Sequence, residues 1–419
     1  MTGLPIDGPG RTPAQNGSRV REQELAPIPD SLEERPAATP LRRSLCAVVW
    51  YVAGDGPLFR SGPLKTIGVD LWGDQARGLK QNHPTMMRPA TVVRHGGLRE
   101  LFIGAYAKFA DRCREVEEPG LAVIAVEERT GRAAGLVRLC ARVERHVGAI
   151  VGRHDECDLY LNASDRLALR HLAVILDPVT SWRAGDKGVR YRVLDLRTTE
   201  GFIDEDGRTL RGLKCEGPAV LRCAGHALFV IPLGDPTDWP ESAADAWGCL
   251  PERVYFDEVD QFPQGSMPRM IAQPVRRSSG LAPTPGELRR SVITRTHGPR
   301  DTGVGLVDEP GDLAGTLELI GPSFRETIRI GHDALKDGVL LGRYARCDGA
   351  TGLGDDTTLS RVHALLIQID ETMLVVDTAS SNGTWERGER PRSRIFVLDG
   401  NTELLLGKTT RARWRWVAS

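Results

Sequence analysis

The chain has 419 residues, with 55 basic and 56 acidic side chains and a formal net charge of −1. The balanced charge excludes the overall basicity that is typical of nucleic-acid-binding proteins. The aromatic content of 5% likewise gives no overall signature of nucleic-acid binding. The length has room for two or three domains. The eight cysteines include no C-x-x-C pair, which favours free thiols in a reducing cytoplasm.

The N-terminal part of the chain divides into a tail and a small mixed region. Residues 1–43 are rich in proline, glycine, arginine and glutamate, so they are predicted to be a disordered tail without a secretory signal. Residues 44–118 are expected to be an α+β region of no recognised family. It has predicted strands at 47–52 and 66–72 and one amphipathic helix over 98–116. No apolar run is long enough for a membrane span, so we expect a cytoplasmic protein with no membrane partner.

The C-terminal residues 315–419 contain three short motifs, each at the end of a predicted strand. Residues 342–343 (GR) follow an apolar run, residues 360–363 (SRVH) open a second one, and residues 381–383 (SNG) follow a third. Asn-Gly is the strongest short turn signal. Because strand ends gather at one edge of a β-sandwich, we expect the three motifs to meet in its loops.

These motifs supply the donors that a phosphate site needs. A phosphorylated side chain carries close to two negative charges and three strong acceptor oxygens. Guanidinium, hydroxyl and amide groups come from Arg343, Arg361, Ser360, Ser381 and Asn382. Charge-assisted hydrogen bonds contribute about 1.5–3 kcal/mol each, so two or three of them give a usable and reversible affinity.

The ordered set resembles the phosphothreonine-binding core of a forkhead-associated (FHA) domain. The resemblance implies that Arg343 and Ser360 hold the phosphate, with Arg361 beside them. It implies an auxiliary hydroxyl at Ser381 and a contact from Asn382 to the main chain of the bound peptide. Three further residues would keep the loops in shape without taking part in chemistry, namely Gly342, His363 and Gly383.

The same resemblance carries expectations about function. It implies a phosphothreonine-dependent adaptor, not an enzyme, with a Ser/Thr protein kinase upstream and similarity to bacterial two-domain proteins. No catalytic residue, metal site or cofactor is expected. One departure is visible, because residues 344–359 are rich in glycine and aspartate. Asp355 and Asp356 are expected either to weaken binding or to select a basic peptide.

An imperfect copy of the motifs lies upstream. Residues 148–153 (GAIVGR) match residues 338–343 (GVLLGR), and a Cys-Asp pair follows four residues after each arginine. Residues 168–171 (ALRH) stand where 360–363 stand, and residues 199–201 (TEG) replace the SNG turn. The scaffold pattern is therefore repeated.

The differences between the copies fall on the chemistry. Arg153 and His171 are kept, but Ala168 has no hydroxyl, Leu169 replaces the second arginine, and Glu200 replaces the asparagine. Residues 119–234 are therefore predicted to be a degenerate FHA-like sandwich without phosphothreonine recognition.

Two interpretations of the next side chain, Arg170, stay open: a structural or docking role, which we favour, and a compensating phosphate contact.

Between the two sandwiches, residues 235–314 are predicted to be a Pro-rich linker, since ten prolines lie between residues 235 and 312. Thr294 and Thr296 follow arginines there, which is either a kinase-accessible context or chance, and we favour chance. The closing residues 411–416 alternate arginine and apolar residues. This pattern predicts a strand with tryptophans in the core, and not a nucleotide-stacking surface.

The sequence therefore predicts a mainly β protein with two antiparallel FHA-type sandwiches, a small α+β region, and a disordered tail and linker. The favoured function is a phosphothreonine-binding adaptor. The alternative is a structural scaffold that docks partners through both sandwiches without phosphate dependence.

Overall fold

The computed structural model describes residues 97–162, 166–182, 188–258, 290–299, 306–307, 312–386, 394–400 and 402–417. The predicted tail and the two predicted N-terminal strands lie outside these residues. The described residues are mainly β, as the sequence predicts, and they form four sheets.

The first sandwich is built from two of these sheets. The six-stranded sheet contains, in spatial order, β2 (Ala133–Cys140), β1 (Gly120–Glu127), β11 (His226–Leu233), β10 (Ala219–Cys223), β7 (Phe202–Ile203) and β8 (Thr209–Leu210). The seven-stranded sheet contains β12 (Glu252–Asp257), β13 (Arg290–Thr296), β9 (Gly212–Glu216), β6 (Arg190–Asp195), β5 (Leu172–Leu176), β3 (Val147–Gly152) and β4 (Leu159–Tyr160). Apolar side chains of both sheets form one core between them.

Short helices cover the outer face of the six-stranded sheet. They are α1 (Leu98–Ala105), the 3₁₀ turn Tyr106–Lys108, α2 (Ala110–Arg114) and α3 (Ala243–Cys249). The predicted single helix over 98–116 is thus two helices joined by a 3₁₀ turn. Its apolar residues are buried as expected, with Phe102 packed against Phe229 of β11. β1 and β11 are apolar along most of their length because both of their faces are covered.

The prediction of a linker over 235–314 is wrong for three of its parts, namely α3, which packs on the six-stranded sheet, and the strands β12 and β13. β12 and β13 pair in parallel, and β13 pairs antiparallel with β9, so both strands complete the seven-stranded sheet. Prolines lie just outside these strands, at Pro251 and Pro299, and do not interrupt their ladders. Thr294 is buried within β13, so its side chain is not accessible to a kinase in the folded protein, unlike the kinase-accessible context considered from the sequence.

The second sandwich has a five-stranded and a four-stranded sheet. The first contains β15 (Arg325–Gly331), β14 (Leu313–Ile320), β22 (Thr410–Trp416), β21 (Glu403–Leu406) and β19 (Thr384–Glu386). The second contains β16 (Val339–Leu341), β17 (Ala364–Ile369), β18 (Thr372–Asp377) and β20 (Ile395–Val397). Two short helices, α4 (His332–Asp337) and α5 (Ala350–Leu353), lie in connections. Trp414 of β22 is buried in the core, whereas Trp416 stays partly exposed.

The two sandwiches pack against each other through a fourth apolar cluster. It joins the outer face of the seven-stranded sheet to that of the four-stranded sheet, with Ile150 and Ile175 on one side and Leu340 and Leu365 on the other. All four side chains are fully buried. The loops at the ends of β3 and β5 therefore lie close to those at the ends of β16 and β18.

Among the described helices, none combines the length and the apolar composition needed to span a membrane.

Candidate functional site

The first motif turns away from β16 at a glycine that permits close backbone contact. A β-carbon on Gly342 would lie less than 3.0 Å from the carbonyl oxygen of Arg361, so a larger residue does not fit without movement. The amide of Arg343 donates to the carbonyl of Ser360 at 3.2 Å, and that of Tyr344 donates to Arg361 at 3.0 Å. The first and second motifs are thereby tied together through the main chain.

His363 links the second motif to the third. Its Nδ1 accepts from the amide of Ser360 at 3.1 Å, and its Nε2 lies 3.2 Å from the carbonyl of Gly383. An amide only donates and a carbonyl only accepts, so the imidazole is neutral and carries its proton on Nε2. Burial lowers the pKa of His363, which is consistent with this neutral form. His363 therefore joins the loop of the second motif to the loop of the third.

Arg343 is anchored by one nitrogen only. Its Nε donates to the carbonyl of Leu359 at 2.7 Å, and the side chain is half-buried. Within the described part of the chain, no partner contacts its two terminal amino groups. Arg361, the second guanidinium of the motif, is exposed. Both arginines therefore have N–H groups available to an anion.

Ser360 lies at the centre of the loops and is only 6% exposed. Its hydroxyl oxygen accepts from the amide of Ser381 at 2.9 Å and from the guanidinium of Arg170 at 3.4 Å. Arg170 belongs to the first sandwich, so one contact to this hydroxyl comes from the other half of the molecule. The side chain of Ser381 is exposed beside it.

The third motif is held by its asparagine and glycine. The side-chain amide of Asn382 donates to the carbonyl of Thr358 at 2.7 Å, which fixes the asparagine at the loop surface. The indole of Trp385 donates to the main-chain oxygen of Asn382 at 2.9 Å. Gly383 has a φ of 79°, a conformation that favours glycine. All three motifs therefore meet at one edge of the sandwich.

Asp356 does not face a ligand, contrary to one sequence expectation. Its carboxylate is buried and accepts from the hydroxyls of Thr358, Thr409 and Thr410 at 2.7, 2.7 and 2.6 Å. Burial alone would raise the pKa of Asp356, but these hydrogen bonds lower it below its ordinary value. Asp356 thus joins two loops, and only Asp355 stays exposed.

Asp377 is a loop organiser that the sequence analysis missed. Its carboxylate accepts from the amide and hydroxyl of Ser380 at 2.8 and 2.6 Å, and from the hydroxyl of Thr384 at 2.8 Å. An aspartate at the end of a strand and before two serines is a signal for such a turn. Its position directly after the apolar run of β18 marks it as the start of this turn.

The matching loops of the first sandwich repeat these contacts. Nδ1 of His171 accepts from the amide of Ala168 at 3.1 Å, and its Nε2 lies 3.0 Å from the carbonyl of Gly201. A β-carbon on Gly152 would lie less than 3.0 Å from the carbonyl oxygen of Leu169, as at Gly342. The two halves therefore share the histidine and glycine contacts of their loops, and His171 has in addition the hydroxyl of Thr198 at 3.2 Å from its Nε2.

The ligand-binding chemistry differs between the halves. Arg153 is exposed, Ala168 has no hydroxyl, and the carboxylate of Glu200 forms an ion pair with Arg166 at 2.8 Å. Arg197 and Ala379 occupy the same place in the two turns, and both adopt positive φ angles of 53° and 63°. The backbone of the turn is thus kept where its side chains change.

The described residues contain no group of three or more histidine, cysteine, aspartate or glutamate side chains that could hold a metal ion. Their cysteines are free thiols. The buried ones have raised pKa values because burial disfavours the thiolate, and burial raises the pKa of Cys157 and of Cys347 to about 12. These thiols therefore belong to the apolar packing of the sandwiches.

Comparison with known proteins gives a family for the second sandwich. Residues 339–407 match the family model of the FHA domain. The FHA domain of the CT664 protein from Chlamydia trachomatis is 21% identical, with 25% of this chain and 99% of that chain covered and a TM-score of 0.22. The Mycobacterium tuberculosis Rv1747 FHA-1 domain is 18% identical, with 25% and 99% covered and a TM-score of 0.20.

A third similar structure is the yeast Dun1 FHA domain in complex with a doubly phosphorylated peptide derived from Rad53. It is 20% identical, with 26% of this chain and 79% of that chain covered and a TM-score of 0.21. No curated protein matches the chain. The matched residues 339–407 include all three motifs, so the chain contains an FHA domain in its second sandwich.

Proposed function

We propose that the chain is an adaptor in Ser/Thr kinase signalling whose second sandwich binds a phosphothreonine in a partner protein. The observation that carries this proposal is the convergence of Arg343, Ser360 and Asn382 on one loop edge. FHA domains are phosphothreonine-binding modules, and the family match covers all three residues. A cytoplasmic, bacterial setting is part of the same proposal.

Each side chain has a distinct role in this proposal. The terminal amino groups of Arg343 form charge-assisted hydrogen bonds to the phosphate, and the Ser360 hydroxyl adds a further donor. Arg361 and the hydroxyl of Ser381 lie at the exposed rim, where they contact the phosphate or the flanking peptide. The side-chain oxygen of Asn382 accepts from the peptide main chain, since its amide nitrogen is held by Thr358.

The first sandwich has no phosphothreonine site in this proposal. It is a degenerate FHA-like domain that keeps the loop scaffold around His171 and lacks the hydroxyl and the asparagine. Arg153 alone supplies one guanidinium, which is too little for a phosphate carrying close to two charges. Its proposed role is structural.

The experiment uses the full chain on a surface and a peptide pool with a central phosphothreonine and randomised flanks. We expect capture of the pool, and loss of capture after the pool is treated with a phosphatase. Arg343→Ala and Ser360→Ala each remove a charge-assisted contact and weaken capture about ten- to hundredfold. Equal capture of treated and untreated pools would favour the phosphate-independent scaffold.

A matched control tests for nonspecific attraction. Arg411 is an exposed arginine on β22, outside the three motifs. Arg411→Ala removes the same charge as Arg343→Ala, and we expect it to leave capture unchanged.

A further inference from the structure

We propose that Arg170 of the first sandwich is a positioning residue for the phosphate site of the second, so that both sandwiches together form one phosphothreonine-binding unit. This inference rests on the proposed function of the second sandwich. It assigns the degenerate first sandwich a part in ligand binding.

Arg170 reaches across the interface into the third motif's loop. It lies two residues before β5 and is only 6% exposed. Its Nε and one terminal amino group donate to the carbonyl of Ala379 at 3.0 and 2.6 Å, and the same amino group lies 3.4 Å from the Ser360 hydroxyl. One rigid guanidinium therefore contacts two of the loops that form the phosphate site.

Within the described part of the molecule Arg170 forms no ion pair with a carboxylate, although Asp377 and Asp155 are near enough to favour its charged form. Of the other arginines that cross this interface, Arg346 also donates to a carbonyl, that of Arg197, whereas Arg197 pairs with Asp348 at 2.6 Å and Arg394 pairs with Asp158. Arg170 instead contacts a carbonyl and a hydroxyl. A guanidinium stays charged at all physiological pH values, so its positive charge is left beside the site.

The contacts to Ser360 determine where its hydroxyl proton points. A hydroxyl has two acceptor lone pairs and one donor proton. The amide of Ser381 and the guanidinium of Arg170 are donors to the oxygen, and among the described residues no acceptor contacts the proton. The proton is therefore directed to a ligand, and phosphate oxygens are acceptors.

The two halves of the molecule are not equivalent at this position. Arg170 precedes His171, and Val362 precedes His363 in the second sandwich. Val362 is buried in the apolar cluster between the sandwiches, and its side chain is uncharged, so it gives the first sandwich no counterpart of the Arg170 contact. Arg170 thus belongs to the first sandwich, which has Ala168 in place of the serine, and contacts the Ser360 hydroxyl of the second sandwich.

The test is a double-mutant cycle in the full chain, with affinity measured by fluorescence anisotropy on the phosphothreonine peptide pool. We expect Arg170→Met to weaken binding about tenfold, the size of one lost charged hydrogen bond. In a Ser360→Ala background the same change should cost clearly less, because one of the two groups that Arg170 contacts is already absent.

Two further variants separate positioning from a general loss of structure. Arg190→Met removes an arginine of β6 that contacts Ser181 and Glu216 within the first sandwich, so affinity should not change. Arg170→Lys keeps the charge but cannot donate to both acceptors in the same planar geometry, so we expect an intermediate loss. Thermal unfolding of every variant reports whether it is folded. If Arg170→Met does not fold, Arg170→Lys takes its place in the double-mutant cycle with Ser360→Ala.

The inference is overturned if Arg170→Met binds as the wild type does, or if its loss is the same with and without the Ser360 hydroxyl. Both results leave the proposed function intact, provided that the wild type binds the pool and Ser360→Ala weakens it. A wild-type chain that does not distinguish phosphorylated from dephosphorylated peptides would remove the proposed function, and the inference with it.

Discussion

Two buried histidines, His171 and His363, occupy the same place in their sandwiches and share two kinds of partner. Each accepts an amide hydrogen bond at Nδ1 and faces a carbonyl at Nε2. Burial lowers the pKa of both. A protonated imidazole would place a proton on Nδ1 against an amide N–H, so the loops depend on the neutral form.

This dependence predicts how the fold responds to acid. In the unfolded chain a histidine binds its proton near pH 6.5, whereas folded His363 binds it only at lower pH. The unfolded state therefore binds more protons just below pH 6.5. The stability that His363 contributes is fully present above pH 6.5 and is lost as the pH falls through the folded pKa.

The measurement is a two-dimensional NMR spectrum of the imidazole nitrogens in the full chain. At pH 6.5, where the same residue in urea is about half protonated, we expect folded His363 to be predominantly neutral with its proton on Nε2. A predominantly doubly protonated His363 in folded protein at pH 6.5 would contradict the hydrogen-bond assignment.

The sequence predicts part of this site because its motifs are local. Asn382 and Gly383 are recognisable as a turn, and a Gly-Arg pair after an apolar run marks a strand end. Arg170 could not be placed in the same way. It lies 190 residues from Ser360, and only the packing of one sandwich on the other brings the two together.

At the scale of elements, the loop after β16 depends on a glycine for its close contact with the loop before β17. In Gly342→Ala the new β-carbon meets the carbonyl of Arg361, so the two loops must separate. We expect the free energy of unfolding to fall by about 1–3 kcal/mol, as for other overpacked sites. Urea titration followed by tryptophan fluorescence measures the change.

Gly104 provides the matched control for this substitution. It is exposed in α1, and a β-carbon there meets nothing within 4 Å. Gly104→Ala should therefore leave stability unchanged or raise it by up to about 1 kcal/mol, the difference in helix propensity. Equal effects of the two substitutions would show that the contact at Gly342 is unimportant.

The strands of the second sandwich are predictable because each is an apolar run bounded by turn residues. The strands β12 and β13 of the first sandwich could not be predicted in this way, because their segment contains many prolines and their pairing is nonlocal. Val292 of β13 pairs with Glu216 of β9, far back in the chain. An averaged composition gives no information on such a pairing.

At the scale of the molecule, reciprocal contacts join the two sandwiches. Asp158 accepts from the amide of Ile150 at 2.8 Å and pairs with Arg394 of the other sandwich. Asp348 accepts from the amide of Leu340 at 3.0 Å and pairs with Arg197. The sequence indicates each sandwich but not this interface, since an apolar strand has the same pattern whether a helix or another sandwich covers it.

The interface predicts that the sandwiches unfold together. Calorimetry of the full chain should show one cooperative transition. Ile175→Asp places a carboxylate in the apolar cluster between the sandwiches, which is costly, so we expect two transitions and a lower first midpoint. Val143→Asp, at an exposed residue of the first sandwich, should leave the single transition unchanged. Two separate transitions in the wild type would contradict the coupling.

The central claim is that this chain has one phosphothreonine site and that it lies in the second sandwich. Isothermal titration of the full chain with a phosphothreonine peptide selected from the pool tests it most directly. We expect one site per chain, binding weakened about ten- to hundredfold in Arg343→Ala, and unchanged binding in Arg153→Ala, the matching arginine of the first sandwich. Two sites per chain, or loss of binding in Arg153→Ala with Arg343→Ala unaffected, would contradict it.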